Sequence, residues 1–569
     1  MKMTNHQLIN EEKVETKVGP NGEIGNSKLI DQSKVFEKRL IKITDGVYQF
    51  IGVGLANSTM IESENGIIIV DTGDAIEEAQ EHLEAFRKIT NKPIKAIIYT
   101  HWHYTMGTRA YVEKGQEDLI EIWGHELVDH NQSTSEQVEL WPTTTKRGYI
   151  QFGLFLPPEG PDASTNMGIG AYLLDRKKGR TQEYIKPNHT VSQASRIVID
   201  GINIELIPSI SDTNDGLIVS LPDKGIVINN NMMGIFPNIG AMRGDYYRDP
   251  KAWLDGIKKI RDLQPTYLLG VHGNPIIGQK EALKVIEDYH DGIQFVYDQT
   301  VRGINLGLSQ DELVEFVKLP DHLKSSPVLQ DYYGEVTIAV RGIYSGLVGW
   351  YGNDTATIHP VTKKEEAEKI IALSGGVARV LESVQMELAQ HNYKWAAQLS
   401  TYVLKVNPDD QEARQLKALA LRKLSLKTTS AITRNFYLVQ ALELEGKLNT
   451  NKNLVSSPKL VKCAPEYMLQ FFRVKVDPSK SHNINQLLGI AVTETNESFG
   501  LQVRHGVAEV FKYNPGSNSP ELSIQTTGKA LAEFITGELT FTAAVESGSI
   551  NIISGKFEDI DHFFHMFDR

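Results

Sequence analysis

A single cysteine, Cys463, stands among 569 residues. It excludes an intrachain disulfide, offers no thiolate cage for a metal and fits a reducing compartment. Long apolar runs are also missing: nowhere do about 18 apolar residues follow one another, as a membrane span requires, and the polar stretch 1–33 has no apolar signal core. Positive charge is scarce, with 59 Lys and Arg against 71 Asp and Glu and a formal net charge of −12. That balance argues against a nucleic-acid partner, which needs a basic face. A cytoplasmic protein is expected, and its length predicts several domains rather than one core.

What is present is first a pattern of short apolar runs and turns. Gly46-Val47-Tyr48-Gln49-Phe50, Ser58-Thr59-Met60-Ile61 and Gly66-Ile67-Ile68-Ile69-Val70 read as strands, 76–89 as a helix, and Lys95-Ala96-Ile97-Ile98-Tyr99 as a buried strand. Asp200-Gly201 between alternating apolar residues predicts a hairpin. Helices dominate from about 280 to 446, with amphipathic pairs at 378–388 and 393–406. Beyond a polar linker at 449–458, strands are expected at 471–476, 490–495, 499–503, 507–511 and 522–525, then a helix at 528–535. The result is an α/β fold followed by an all-α domain and an α+β domain.

The chemistry gathers at Thr100-His101-Trp102-His103-Tyr104-Thr105-Met106. His-x-His in a loop after a strand brings two imidazoles within reach of one metal. Asp71, at the end of an apolar run, serves either as a turn residue or as a buried carboxylate holding the His loop. His272 lies at the end of another apolar run.

Several segments together carry a family resemblance: Val53-Gly54-Leu55-Ala56-Asn57-Ser58-Thr59-Met60-Ile61, Asp71-Thr72-Gly73, Met242-Arg243-Gly244-Asp245-Tyr246-Tyr247-Arg248-Asp249-Pro250, Tyr297-Asp298-Gln299-Thr300-Val301-Arg302, Tyr332-Tyr333-Gly334 and Gly349-Trp350-Tyr351-Gly352-Asn353. They resemble the metallo-β-lactamase fold and, within it, the alkylsulfatase family. The resemblance implies a metallo-β-lactamase-like αββα sandwich at 41–295 behind an N-terminal arm at 1–40, a helical dimerisation domain at 296–448 and a sterol-carrier-protein-like domain at 449–569. It also implies a homodimer, and hydrolysis of sulfate esters at two zinc ions. Carried over residue by residue, His101 and His103 match the first two ligands, whereas Thr105, Met106, Ser211 and Asn230 fall where further ligands stand, and Arg243 matches the sulfate-binding arginine.

A dinuclear site is therefore not expected. The same carry-over puts Asp212 one residue past a ligand position and Asp215 on a second acid, and one residue of register decides between them. One divalent ion, zinc or iron, on His101, His103 and Asp212 remains open, with Asp71, Asp215 and His272 in catalytic roles and Arg243, Tyr104 and Asn230 facing a small amphipathic anionic substrate. Two alternatives stand beside it: a non-catalytic homologue binding an alkyl chain or lipid, with Met468, Leu469, Phe471 and Phe472 lining a tunnel or simply a core, and an iron-dependent redox enzyme.

Overall fold

The computed structural model describes residues 14–133, 138–171, 180–452, 454–514 and 520–568. The chain divides into two compact units, one comprising 1–128 with 147–450, the other 129–146 with 451–569.

In the first unit, two sheets are stacked. One runs in the order Arg39–Thr44, Val47–Ile51, Ser58–Glu62, Ile67–Val70, Ile94–Ile98, Glu121–His125, His189–Val191. It starts antiparallel and becomes parallel from Ile67–Val70 onward. The other runs Ser195–Ile199, Ile202–Pro208, Leu217–Leu221, Ile226–Asn229, Tyr267–Gly270, Ile276–Ile277. Side chains alternate across a strand, and the alternation sorts them between cores. Ile68 and Val70 pack with Ile226, Ile228, Leu217 and Val219 between the sheets. Ile67 and Ile69 turn outward to Ala79 and Phe86 of the helix Ile76–Arg87, and Ile218 and Val227 turn outward to Trp253, Ile257 and Ile286. Covered on both faces, Ile67–Val70 is apolar at every position. This is the expected αββα sandwich. Asp200 (φ 44°) and Gly201 (φ 83°) form the two-residue turn of the predicted hairpin, which pairs Ile199 with Ile202.

The helix Pro250–Asp262 begins with Asp249 capping the Lys251 N–H and Pro250 in its first turn. It buries Trp253 completely, and the indole donates to the Asn231 carbonyl at 2.7 Å. Trp253→Ala should cost about 3–5 kcal/mol of stability, read as a lower urea midpoint with binding-site residues untouched.

His82, also on Ile76–Arg87, is buried edge-on against Phe50, and neither ring nitrogen has a hydrogen-bond partner among the described residues. Burial, with Lys38 adding to it, pushes its pKa down to about 3 from 6.5. Between those pH values the unfolded chain takes up a proton that the folded chain refuses. The His82 contribution is therefore complete above the unfolded value and is lost as pH falls through the window, at up to about 1.4 kcal/mol per pH unit. Urea midpoints at pH 7 and 5 should differ less in His82→Leu than in the natural protein.

Helices Val377–Ala389, Tyr393–Val406, Gln411–Lys427 and Ala431–Leu444 pack in sequence around a shared core. No helix among the described residues is long and apolar enough to cross a membrane.

The second unit holds a sheet ordered Val507–Lys512, Glu497–Arg504, Asn485–Val492, Leu522–Thr526, Ile550–Ser554. The strand expected at 471–476 is instead the end of a helix, Pro465–Lys475. Pro465 opens it, and Met468, Leu469, Phe471 and Phe472 recur at helical spacing on its buried face. Phe and Val favour strands, but packing against Phe499, Phe563 and Phe567 prevails. The four residues considered for a tunnel are core residues of this unit.

Candidate active site

The site lies where strands Ile67–Val70, Ile94–Ile98, Ile226–Asn229 and Tyr267–Gly270 end, the usual place for ligand groups beyond the carboxyl ends of parallel strands. Asp71 follows the first of these at φ 60°, a left-handed conformation that Asp tolerates but that needs support. The support is local: Oδ1 accepts the Thr100 N–H at 2.8 Å and Oδ2 the Thr100 hydroxyl at 2.7 Å. Burial raises the Asp71 pKa to about 7 against those two hydrogen bonds. With its hydrogen given to the carboxylate, the Thr100 hydroxyl accepts from His101 Nδ1 at 2.9 Å. That fixes the tautomer and leaves the lone pair on Nε2. His101 is fully buried, and Nε2 has no hydrogen-bond partner among the described residues.

The His103 ring stands 5.0 Å from that of His101, nearly perpendicular, and its Nδ1 is 3.5 Å from Asp212 Oδ2. One donor atom from each of His101, His103 and Asp212 lies within 4.8 Å of the others. Burial pushes both imidazoles down, His103 to about 4 and His101 well below its ordinary value. Burial pushes Asp212 up, but His103, His101 and Arg248 outweigh it and hold the carboxyl below the usual range. Neutral imidazoles facing an ionised carboxylate are the protonation states a cation selects. Asp212 is aimed by its neighbours, because Oδ1 accepts from the Asn230 amide at 2.6 Å and from the Ser211 hydroxyl at 3.2 Å.

Asp215 is turned elsewhere, with Oδ2 accepting the Trp102 N–H at 2.9 Å and so holding the His loop by its backbone. His272 donates from Nδ1 to the Leu55 carbonyl at 2.8 Å, which makes Nε2 an acceptor for the Tyr104 hydroxyl at 3.3 Å. The lone pair that would have made His272 a further ligand is thus engaged by a buried phenol. The Thr105 hydroxyl closes a turn onto the Trp102 carbonyl at 3.0 Å.

Arg243 has about one-fifth of its side chain exposed. Asp245 bridges it, at 3.1 Å, to Arg248, at 2.6 Å, and Arg248 also donates to the Asn238 carbonyl. The charges of Arg243 and Asp212 both act on the Tyr333 phenol, and that of Asp212 acts on Arg243 as well. Sequence reasoning took Tyr333 only as part of a domain-opening motif. Its signal was weak, since it stands 230 residues after His103 and on a different element.

The donor set fits a divalent metal. Two imidazoles and a carboxylate make a three-ligand set that leaves an open position, and a cation would satisfy the buried His101 Nε2, which has no hydrogen-bond partner among the described residues.

Three family descriptions match the chain: "Metallo-beta-lactamase superfamily" at 51–104, "Alkyl sulfatase dimerisation" at 309–447 and "Alkyl sulfatase C-terminal" at 454–569. A linear primary-alkylsulfatase of a Pseudomonas sp. strain is 34% identical over 528 residues, covering 90% of this chain and 98% of that protein. An alkyl/aryl-sulfatase of Saccharomyces cerevisiae is 24% identical, covering 93% of this chain and 82% of that one. The solved structure of a stereoselective inverting sec-alkylsulfatase from Pseudomonas sp. superposes with a TM-score of 0.82 at 23% identity, covering 96% of this chain and 87% of that one.

Proposed function

The chain belongs to the alkylsulfatase family of the metallo-β-lactamase superfamily, and from that premise we propose that it hydrolyses small amphipathic sulfate esters at an altered site holding one divalent metal. The observation that carries the reading is that one donor atom from each of His101, His103 and Asp212 lies within 4.8 Å of the others, with His101 Nε2 buried and without a hydrogen-bond partner among the described residues. Zinc or iron held there would act as a Lewis acid and lower the pKa of a water.

The chain's own residues do the rest. Arg243, with Tyr333 beside it, binds the anionic head. Asn230 and Ser211 hold Asp212 in one orientation, and Thr100 passes the hold of Asp71 to His101. Asp215 fixes the loop between the two histidines, and the Tyr104–His272 pair walls the inner side against water. Thr105 and Asn230 are neutral, so no further carboxylate is left to hold a second cation. A homodimer, a cytoplasmic location and an alkyl-chain or lipid site in the C-terminal domain belong to the same proposal.

The rival is a binding protein for an alkyl chain or lipid without turnover. It draws on the hydrogen bonds of Asn230 and Ser211 to Asp212, which satisfy that carboxylate without a cation. An iron-dependent redox enzyme would show oxygen consumption instead.

Elemental analysis of the purified protein, paired with release of inorganic sulfate from octyl sulfate, separates these readings. About one metal per chain with sulfate release is expected. An intact fold with neither metal nor release at any pH would overturn the proposal.

A further inference from the structure

The loop that carries Arg243 lies along a helix with no residue in the site. This helix, Val336–Val348, falls inside the stretch matched by the dimerisation description. Ile338, Gly342 and Gly346 are spaced four residues apart and so share one face of it. The loop meets that face at both of its ends. At the first, a Cβ on Gly240 would come within 2.3 Å of the Ile338 carbonyl oxygen, and a Cβ on Gly342 within 2.8 Å of the Gly240 Cα, so the two backbones touch as only glycine allows. At the second, the Tyr247 ring covers Gly346, where a Cβ would stand 2.1 Å from Cδ2 and 2.8 Å from Cγ. Because Cγ is the root of the ring, swinging the far end of the side chain would not relieve an added methyl. The ring as a whole would have to move.

Arg243 and Asp245 lie between these two seats. Tyr247 is followed directly by Arg248, which donates to Asp245 at 2.6 Å and to the Asn238 carbonyl at 2.8 Å. Asp245 in turn accepts from Arg243 at 3.1 Å. The place of the Tyr247 ring therefore passes to the Arg243 guanidinium through one peptide bond and two hydrogen bonds. Tyr247 is 41% exposed, too open for a core residue, so its contact with Gly346 adds little to stability while it fixes the path of the chain beside Arg248.

We infer that Tyr247, seated on Gly346, is a positioning residue for the anion-binding Arg243, and that the helix Val336–Val348 is the platform that sets where the clamp stands. The inference rests on the reading of Arg243 as the anion clamp.

The test is titration calorimetry of inorganic sulfate into the full-length protein, with kcat and KM for octyl sulfate and metal content measured alongside. Gly346→Ala suits it, because alanine favours a helix over glycine and the position has no place in the site. It should weaken sulfate binding and raise KM by about 3- to 10-fold, as expected when one hydrogen bond is misdirected, with kcat falling less than KM rises and metal content unchanged. Tyr247→Ala removes the anchor without adding bulk and should lose the same factor; it also serves if the Gly346→Ala variant does not fold. In the Tyr247→Ala background Gly346→Ala should add nothing, because the methyl then has no ring to displace. Unchanged sulfate affinity in either folded variant, with weakened binding in Arg243→Leu, overturns this inference alone, as does full additivity of the two changes. Unchanged affinity in Arg243→Leu overturns the clamp reading and this inference with it.

Discussion

Alanine at His101 should strip the protein of its metal and its turnover together. His101 supplies an imidazole whose direction is fixed from behind, by Thr100 and Asp71, and whose Nε2 has no other hydrogen-bond partner among the described residues. Removing it leaves His103 and Asp212, two donors where a metal of this kind needs at least three from the protein. Changes behind a ligand typically cost 10–100-fold in metal affinity. Loss of the ligand itself should exceed about 100-fold on that scale, with sulfate release falling to background. Thr100→Val grades the argument, because it removes the relay and keeps the imidazole. Its affinity should fall within about the 10–100-fold range while the folded content stays that of the natural protein. Competition against a chromophoric chelator gives both values. A His101→Ala protein that keeps about one tightly held metal per chain would place the metal elsewhere.

The layers and the His loop were legible because their signals are local. Period-two apolar runs sort Ile67–Val70 and Ile226–Asn229 between two cores, and a His-x-His after a buried strand states its own spacing. Asp71 was legible for the same reason, one strand end away. The choice between Asp212 and Asp215 was not, since it turns on the path of an irregular loop: the first faces His103 and the second the Trp102 N–H. Tyr333 escaped because its place near Arg243 and Asp212 comes from tertiary approach across a long sequence separation. The helix Pro465–Lys475 was misread at its end because aromatic and β-branched residues favour strands until a buried helical face overrides them. The neutral residues Thr105 and Asn230 could be read as types but not as bonds, and it is their bonds, to Trp102 and to Asp212, that show how the site holds its shape.

Leucine at Arg243 should cut kcat/KM for octyl sulfate by about 10²–10³, the loss typical of removing one aligned donor from a site where charge develops, and should leave the metal in place. The two arginines nearby are not equivalent. Arg248 is 6% exposed and is occupied by the Asn238 carbonyl and Asp245, so it orients rather than binds. Arg243 is tethered on one side by Asp245, keeps about one-fifth of its side chain exposed, and its charge acts on His103 and Asp212. Leucine removes that open face without leaving Asp245 unpaired, since Arg248 still holds it. Lysine should restore only part of the loss, because a point charge cannot donate as a planar fork to Asp245 and a sulfate oxygen together. A neutral ester accepted by the same site should lose far less than octyl sulfate, which separates anion recognition from general damage. Equal losses on both substrates, or none on either with metal content intact, would remove Arg243 from the substrate contact and leave it a partner of Asp245 only.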